Sequence, residues 1–93
     1  MAIRQAAHGT GIHLAALGDS HGYRVDDADG RVGTVDGVVA GAWSDRPDAI
    51  EVRVGLFQPA ILVVGVEDVV EVDPVRRRVI VRGSIDLADA YSP

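Results

Sequence analysis

From Gly22 to Val35 the chain reads as two β-type segments joined by a tight acidic turn. Tyr23 and Val25 fall on one side of the first segment, Asp27-Ala28-Asp29-Gly30 follows, and the second segment opens on Val32-Gly33-Thr34-Val35. Alternating apolar and polar residues around a glycine-ended Asp-rich turn are the pattern of a β-hairpin, because side chains alternate faces along a strand and glycine accepts a positive φ. The hairpin predicts a first strand over 22–26 and a long second one from Arg31 to about Trp43. Glycines at 33, 37 and 41 give that second strand places to bulge or bend sharply.

The rest of the chain continues the β pattern. Every valine lies between Val25 and Val81, and β-branched enrichment marks strand-bearing sequence. Ser44-Asp45-Arg46-Pro47-Asp48 is a polar loop; beyond it Ile50, Val52, Val54 and Leu56 alternate with Glu51, Arg53 and Gly55, the period of a half-buried strand. Ala60 to Val66 is a continuous apolar run. Its composition fits a strand buried on both faces or a strand covered by a partner subunit. Glu67-Asp68 forms a helical turn before Val70-Glu71-Val72, Asp73-Pro74 turns the chain, and Val79 and Val81 close it. About six short, closely spaced strands predict an all-β small barrel. Ser84 caps a short helix expected over 85–90, with Asp86 in its first turn. The expected organisation is an N-terminal extension over 1–21, either weakly structured or packed on the barrel or a partner, a barrel over 22–82 and a tail over 83–93.

Four pieces of this pattern, in order, resemble the PRC-barrel domain: Gly22-Tyr23-x-Val25-x-Asp27 with Asp29-Gly30; Val32-Gly33-x-Val35; Leu62-Val63-Val64 leading into Glu67-x-Val69-x-x-Val72-Asp73; and Val79-Ile80-Val81. The family often places a proline after the apolar strand, where this chain has Gly65-Val66. Such domains occur in the H subunit of photosynthetic reaction centres and in a ribosome-maturation factor. The resemblance implies an SH3-like, partly open β-barrel serving as an interaction or assembly module. It looks like a stand-alone barrel, with neither the anchor of the first protein nor the second domain of the other. Barrels of this kind leave strand edges that invite a second copy, so a homodimer that also docks an unidentified protein is expected.

Composition narrows the function classes. Ninety-three residues hold one modest core, burying roughly 60 to 65% of the unfolded surface. No apolar run nears the roughly 18 residues that span a bilayer, and His8, Gly9 and Gly11 interrupt any secretory leader. Cytoplasm is therefore the expected compartment. With no cysteine, disulfides, thiolate metal sites and cysteine nucleophiles are excluded. A net charge of −5 opposes a phosphate backbone unless arginines cluster, so RNA binding is disfavoured. All nine basic residues are arginine, which points to a GC-rich, bacterial source.

The candidate chemistry is sparse. His8, His13 and His21 have neither the helical i, i+4 pairing nor a compact zinc spacing. Asp19-Ser20-His21 holds the residue types of a nucleophilic triad, but adjacency in sequence does not make its geometry, and a polar lead-in to the first strand is the better reading. Asp26, Asp27, Asp29 and Asp36 lack an EF-hand spacing, and solvated turn carboxylates are commoner than a calcium site. The glycines lack both the Lys-Ser/Thr ending of a phosphate loop and the helix that follows a dinucleotide fingerprint. The expectation is no catalysis, no cofactor and no metal. The residues singled out for interaction are Trp43 and Phe57, as interface anchors or as packing, and Ile61 and Val63 on the apolar run. The Arg76-Arg77-Arg78 triplet joins them, reaching an RNA or acidic partner or else salt-bridged to Asp68, Glu71 and Asp73. A small-ligand or metal-binding barrel is the remaining alternative.

Overall fold

A computed structural model describes residues 16–41, 47–55 and 58–92. Its six strands are β1 (Arg24–Asp27), β2 (Gly30–Ala40), β3 (Pro47–Val54), β4 (Ala60–Gly65), β5 (Val69–Asp73) and β6 (Arg78–Val81). They form one mixed sheet in the order β4-β3-β2-β1-β6-β5. All neighbours are antiparallel except β1 and β6, which run parallel. The sheet is not closed, and β4 and β5 are its two ends. This is the expected all-β, partly open small barrel. Among the described residues no helix is long and apolar enough to cross a membrane.

The hairpin lies where the sequence puts it. Asp27 faces Gly30 across the two-residue loop Ala28–Asp29, and Gly30 takes φ +128°, a conformation that a Cβ would strain. The Asp27 carboxylate accepts the N–H of Asp29 at 2.8 Å and of Gly30 at 3.1 Å, so the acidic residue builds the turn.

The core follows the two-residue period wherever the ladder is regular. Ile50, Val52 and Val54 of β3 point inward, as do Leu62 and Val64 of β4 and Val79 and Val81 of β6. β5 departs from it. The expected alternation pairs Val70 with Val72, yet the inward residues are Val69 and Val72, because the register shifts between Val69 and Glu71. The bulge absorbs one residue and turns Val70 outward. Similar shifts in β2, between Val35 and Gly37 and between Val39 and Ala40, coil the long strand around the core. Gly33 is the tightest point: a Cβ there would land on the Arg53 carbonyl oxygen and lie 3.1 Å from Val52 Cγ1.

Two boundaries differ from expectation. Pro47 opens β3 instead of lying in a loop, paired with Ala40 at the sheet's margin, where proline's missing N–H does little harm. Leu17, in the N-terminal extension, packs into the core and is fully buried. The expected C-terminal helix is a single 3-10 turn, Leu87–Asp89, and its cap is Asp86, which accepts the Ala88 N–H at 2.9 Å. Ser84 has another partner, described below.

Candidate functional site

The acidic turn is a clasp for the C-terminal tail. Asp27 accepts a third hydrogen bond, from the Ile85 N–H at 2.8 Å; the Ala28 N–H donates to the Gly83 carbonyl at 2.8 Å; and the Ser84 hydroxyl donates to Asp29 at 2.6 Å. Hydrogen bonds from Ile85 and Asp29, with smaller help from Gly30, hold the Asp27 carboxyl below its ordinary value. They outweigh the opposing effect of burial, because each favours the charged form. Ile85 packs against the core. These carboxylates are therefore occupied by backbone and hydroxyl donors, and Asp36 pairs with Arg53 at 2.6 Å. Among the described residues no group of three His, Asp or Glu side chains is placed to hold a metal.

From the clasp the tail crosses to the other end of the sheet. Tyr91 and Ile61 exchange both backbone hydrogen bonds, at 2.6 and 2.8 Å, as an antiparallel bridge of one residue. Between the clasp and Tyr91 the tail coils through the 3-10 turn Leu87–Asp89 instead of running along β4. A cleft of ≈ 480 Å³ remains between them, within the roughly 300 to 1,000 Å³ typical of ligand sites. Leu62, Val64, Ile85 and Tyr91 give it apolar walls, and Asp68, Asp86 and Asp89 also line it, with no basic residue.

β4 is the edge along this cleft. Backbone groups alternate sides along a strand, so if Ile61 turns its N–H and C=O toward Tyr91, Val63 turns both of its groups outward as well, while the Gly65 carbonyl opens the 3-10 turn Val66–Asp68. Of Ile61 and Val63, only Ile61 has a backbone partner on that side among the described residues. Val63 is 51% exposed. Burial on both faces, one of the two sequence expectations for this segment, does not hold there; β4 is an edge strand. The opposite end is differently made: β5 has a bulge and carries Glu71 and Asp73, features that discourage strand addition. β4, Ala-Ile-Leu-Val-Val-Gly, carries neither charge nor bulge.

The arginine triplet does not form one surface. Arg76 pairs with Asp73 at 3.5 Å. Arg77, at φ +56°, stacks its guanidinium over Tyr23 with 5.6 Å to the ring centre. Arg78 lies 3.9 Å from Asp26, which Arg24 also grips at 2.8 Å. Of the nearby acids expected to pair with the triplet, Asp73 does, while Asp26 on β1 supplies the second partner. Ser20 is fully buried and donates its hydroxyl to the Leu17 carbonyl at 2.7 Å, while His21 is exposed beside it; the hydroxyl closes a turn leading into β1. Trp43, Phe57, His8 and His13 lie outside the described residues.

Ile61 and Val63 are thus brought together with Ile85 and Tyr91, two residues the sequence reading passed over. The only signal for them was their apolar character in a polar tail, which says nothing of where the tail goes. Compared with known proteins, the chain matches no family model, and no curated protein matches it.

Proposed function

We propose that this chain is a non-catalytic interaction module of the PRC-barrel kind, which engages partners by adding a strand to the open edge of β4. The observation that carries the reading is the contrast between the sheet's two ends. β5 is bulged and charged, whereas β4 is regular and apolar, and between Tyr91 on Ile61 and the 3-10 turn after Gly65 it has no strand on its outer side among the described residues. A second copy is one strand donor that symmetry allows, because a two-fold axis pairs an edge with itself.

The test is solution mass by light scattering over a dilution series, for the wild type and Val63→Pro. The Val63 N–H faces away from β3, so proline there removes a donor only from the outer edge, where proline is tolerated. A dimer that becomes monomeric in Val63→Pro and in Val63→Lys, with unchanged circular dichroism, supports the reading. A wild-type monomer whose pull-down retains no protein partner counts against it. RNA binding through Arg76, Arg77 and Arg78 has less support, since Asp73, Tyr23 and Asp26 already engage these side chains. A salt-sensitive shift with ribosomal RNA, lost in Arg77→Ala with Arg78→Ala, would restore it.

A further inference from the structure

We infer that the cleft between β4 and the C-terminal tail is a site for an extended, arginine- or lysine-bearing apolar segment of another protein. The inference rests on the reading of β4 as the docking edge, and it names the chemistry of the occupant. Three properties of the cleft converge. Its β4 wall offers the outward N–H and C=O of Val63 and the N–H of Gly65, whose carbonyl belongs to the 3-10 turn Val66–Asp68, a short template for a strand. Its accessible apolar lining comes from Val63, Tyr91 and the half-buried Ile85, which favours alternate apolar side chains on the incoming segment. Asp68, Asp86 and Asp89 line it without a basic counterpart, and Arg82 lies just outside with its guanidinium on the Glu67 carbonyl, so a segment entering there meets a net negative lining. A cationic side chain is attracted to that rim and an acidic one is repelled.

Charge also distinguishes the possible occupants. A second copy offers β4, which carries no cation, and brings its own Asp68, Asp86 and Asp89 toward those of the first. A basic segment neutralises them. The tail and the 3-10 turn set the length of the segment: with Tyr91 on Ile61 and the Gly65 carbonyl in the turn, the open stretch of edge runs from Val63 to the Gly65 N–H, enough for about three residues at roughly 3.3 Å each.

The experiment uses the full chain and three capped seven-residue peptides: one alternating arginine with valine, one alternating glutamate with valine, and the arginine peptide with N-methylated backbone on every second residue. Binding is read by calorimetry. The arginine peptide is expected to bind saturably and to weaken about tenfold between low and half-molar salt. The glutamate and N-methylated peptides are expected to fail. Asp68→Asn with Asp89→Asn, which spares the Asp86 cap, should weaken binding about tenfold, and Val63→Pro should abolish it. Equal binding of the glutamate peptide, or arginine-peptide binding indifferent to the aspartate variants, overturns the inference. No peptide binding alongside a dimer that Val63→Pro dissociates also overturns it, and leaves β4 standing as the docking edge. No peptide binding with a monomer lacking any protein partner removes both.

Discussion

Replacing Gly33 by alanine should be among the most damaging single-methyl changes in this protein, while the same change four residues on at Gly37 should be nearly silent. At Gly33 the new Cβ falls on the Arg53 carbonyl oxygen, well inside 3.0 Å, and lies 3.0 Å from the carbonyl carbon and 3.1 Å from Val52 Cγ1. Two of these three atoms are backbone of the neighbouring strand, so no rotamer relieves the clash. β2 and β3 must part by roughly an ångström to reach ordinary contact distance. Their separation strains a sheet whose next pairs are Thr34 with Arg53 and Val35 with Val52, and it loosens the contact of buried Val52 with the core. Overpacking of this kind costs about 1 to 3 kcal/mol, and a backbone obstacle puts Gly33→Ala at about 3. At the roughly 2.1 cal/mol/K per residue of unfolding entropy usual for globular proteins, a chain this size loses about 5 °C per kcal/mol, hence about 15 °C in Tm. At Gly37 the obstacle is Glu51 Oε1 at 2.9 Å, the tip of a side chain that can swing away. Alanine there also relieves the roughly 0.5 to 1 kcal/mol that glycine costs inside a strand. Gly37→Ala should therefore melt within about 3 °C of the wild type. Differential scanning calorimetry of both variants at neutral pH decides the matter. A Gly33→Ala protein melting with the wild type, or two variants equally destabilised, would refute the close approach of β2 to β3 as the reason for glycine at 33.

Asp27→Ala should lower Tm at neutral pH and free the tail, seen as faster amide exchange at Ile85. Because the folded carboxyl lies below its ordinary 3.8, the charge-linked part of its contribution is complete above that pH and shrinks as pH falls through the folded value; a gap in Tm that widens with acidification would contradict this. Ile50→Ala, at a side chain with no exposure, should cost about 2 to 5 kcal/mol by urea denaturation, whereas Val75→Ala, 91% exposed, should stay within about 0.5. Asp26→Ala strips Arg78 Nε, which is buried without a hydrogen-bond partner, of its nearest carboxylate, and about 1 to 3 kcal/mol of destabilisation is expected; an unchanged urea midpoint would show that Arg24 and Arg78 need no anion there.

What the sequence determined by itself was local. Alternation at Ile50, Val52 and Val54 set the inward face of β3, Asp27 and Gly30 set the hairpin, and Glu67-Asp68 marked the turn now seen as Val66–Asp68. Each follows from backbone geometry within a few residues, so neighbouring side chains suffice to reveal it. Where an extra residue enters a ladder, as between Val69 and Glu71, the period breaks and alternation misassigns Val70, because a bulge is defined by the partner strand. Tertiary structure alone decided the rest: that β1 pairs in parallel with β6, that β4 and β5 are the ends, that Asp27 holds Ile85 from 58 positions away, and that each arginine of the triplet has its own partner. These depend on which distant segments share space, and the energy that selects them is spread over the whole core. The cleft beside β4 belongs to that second class, since it exists only where a tail clasped by one hairpin meets the far edge of the sheet.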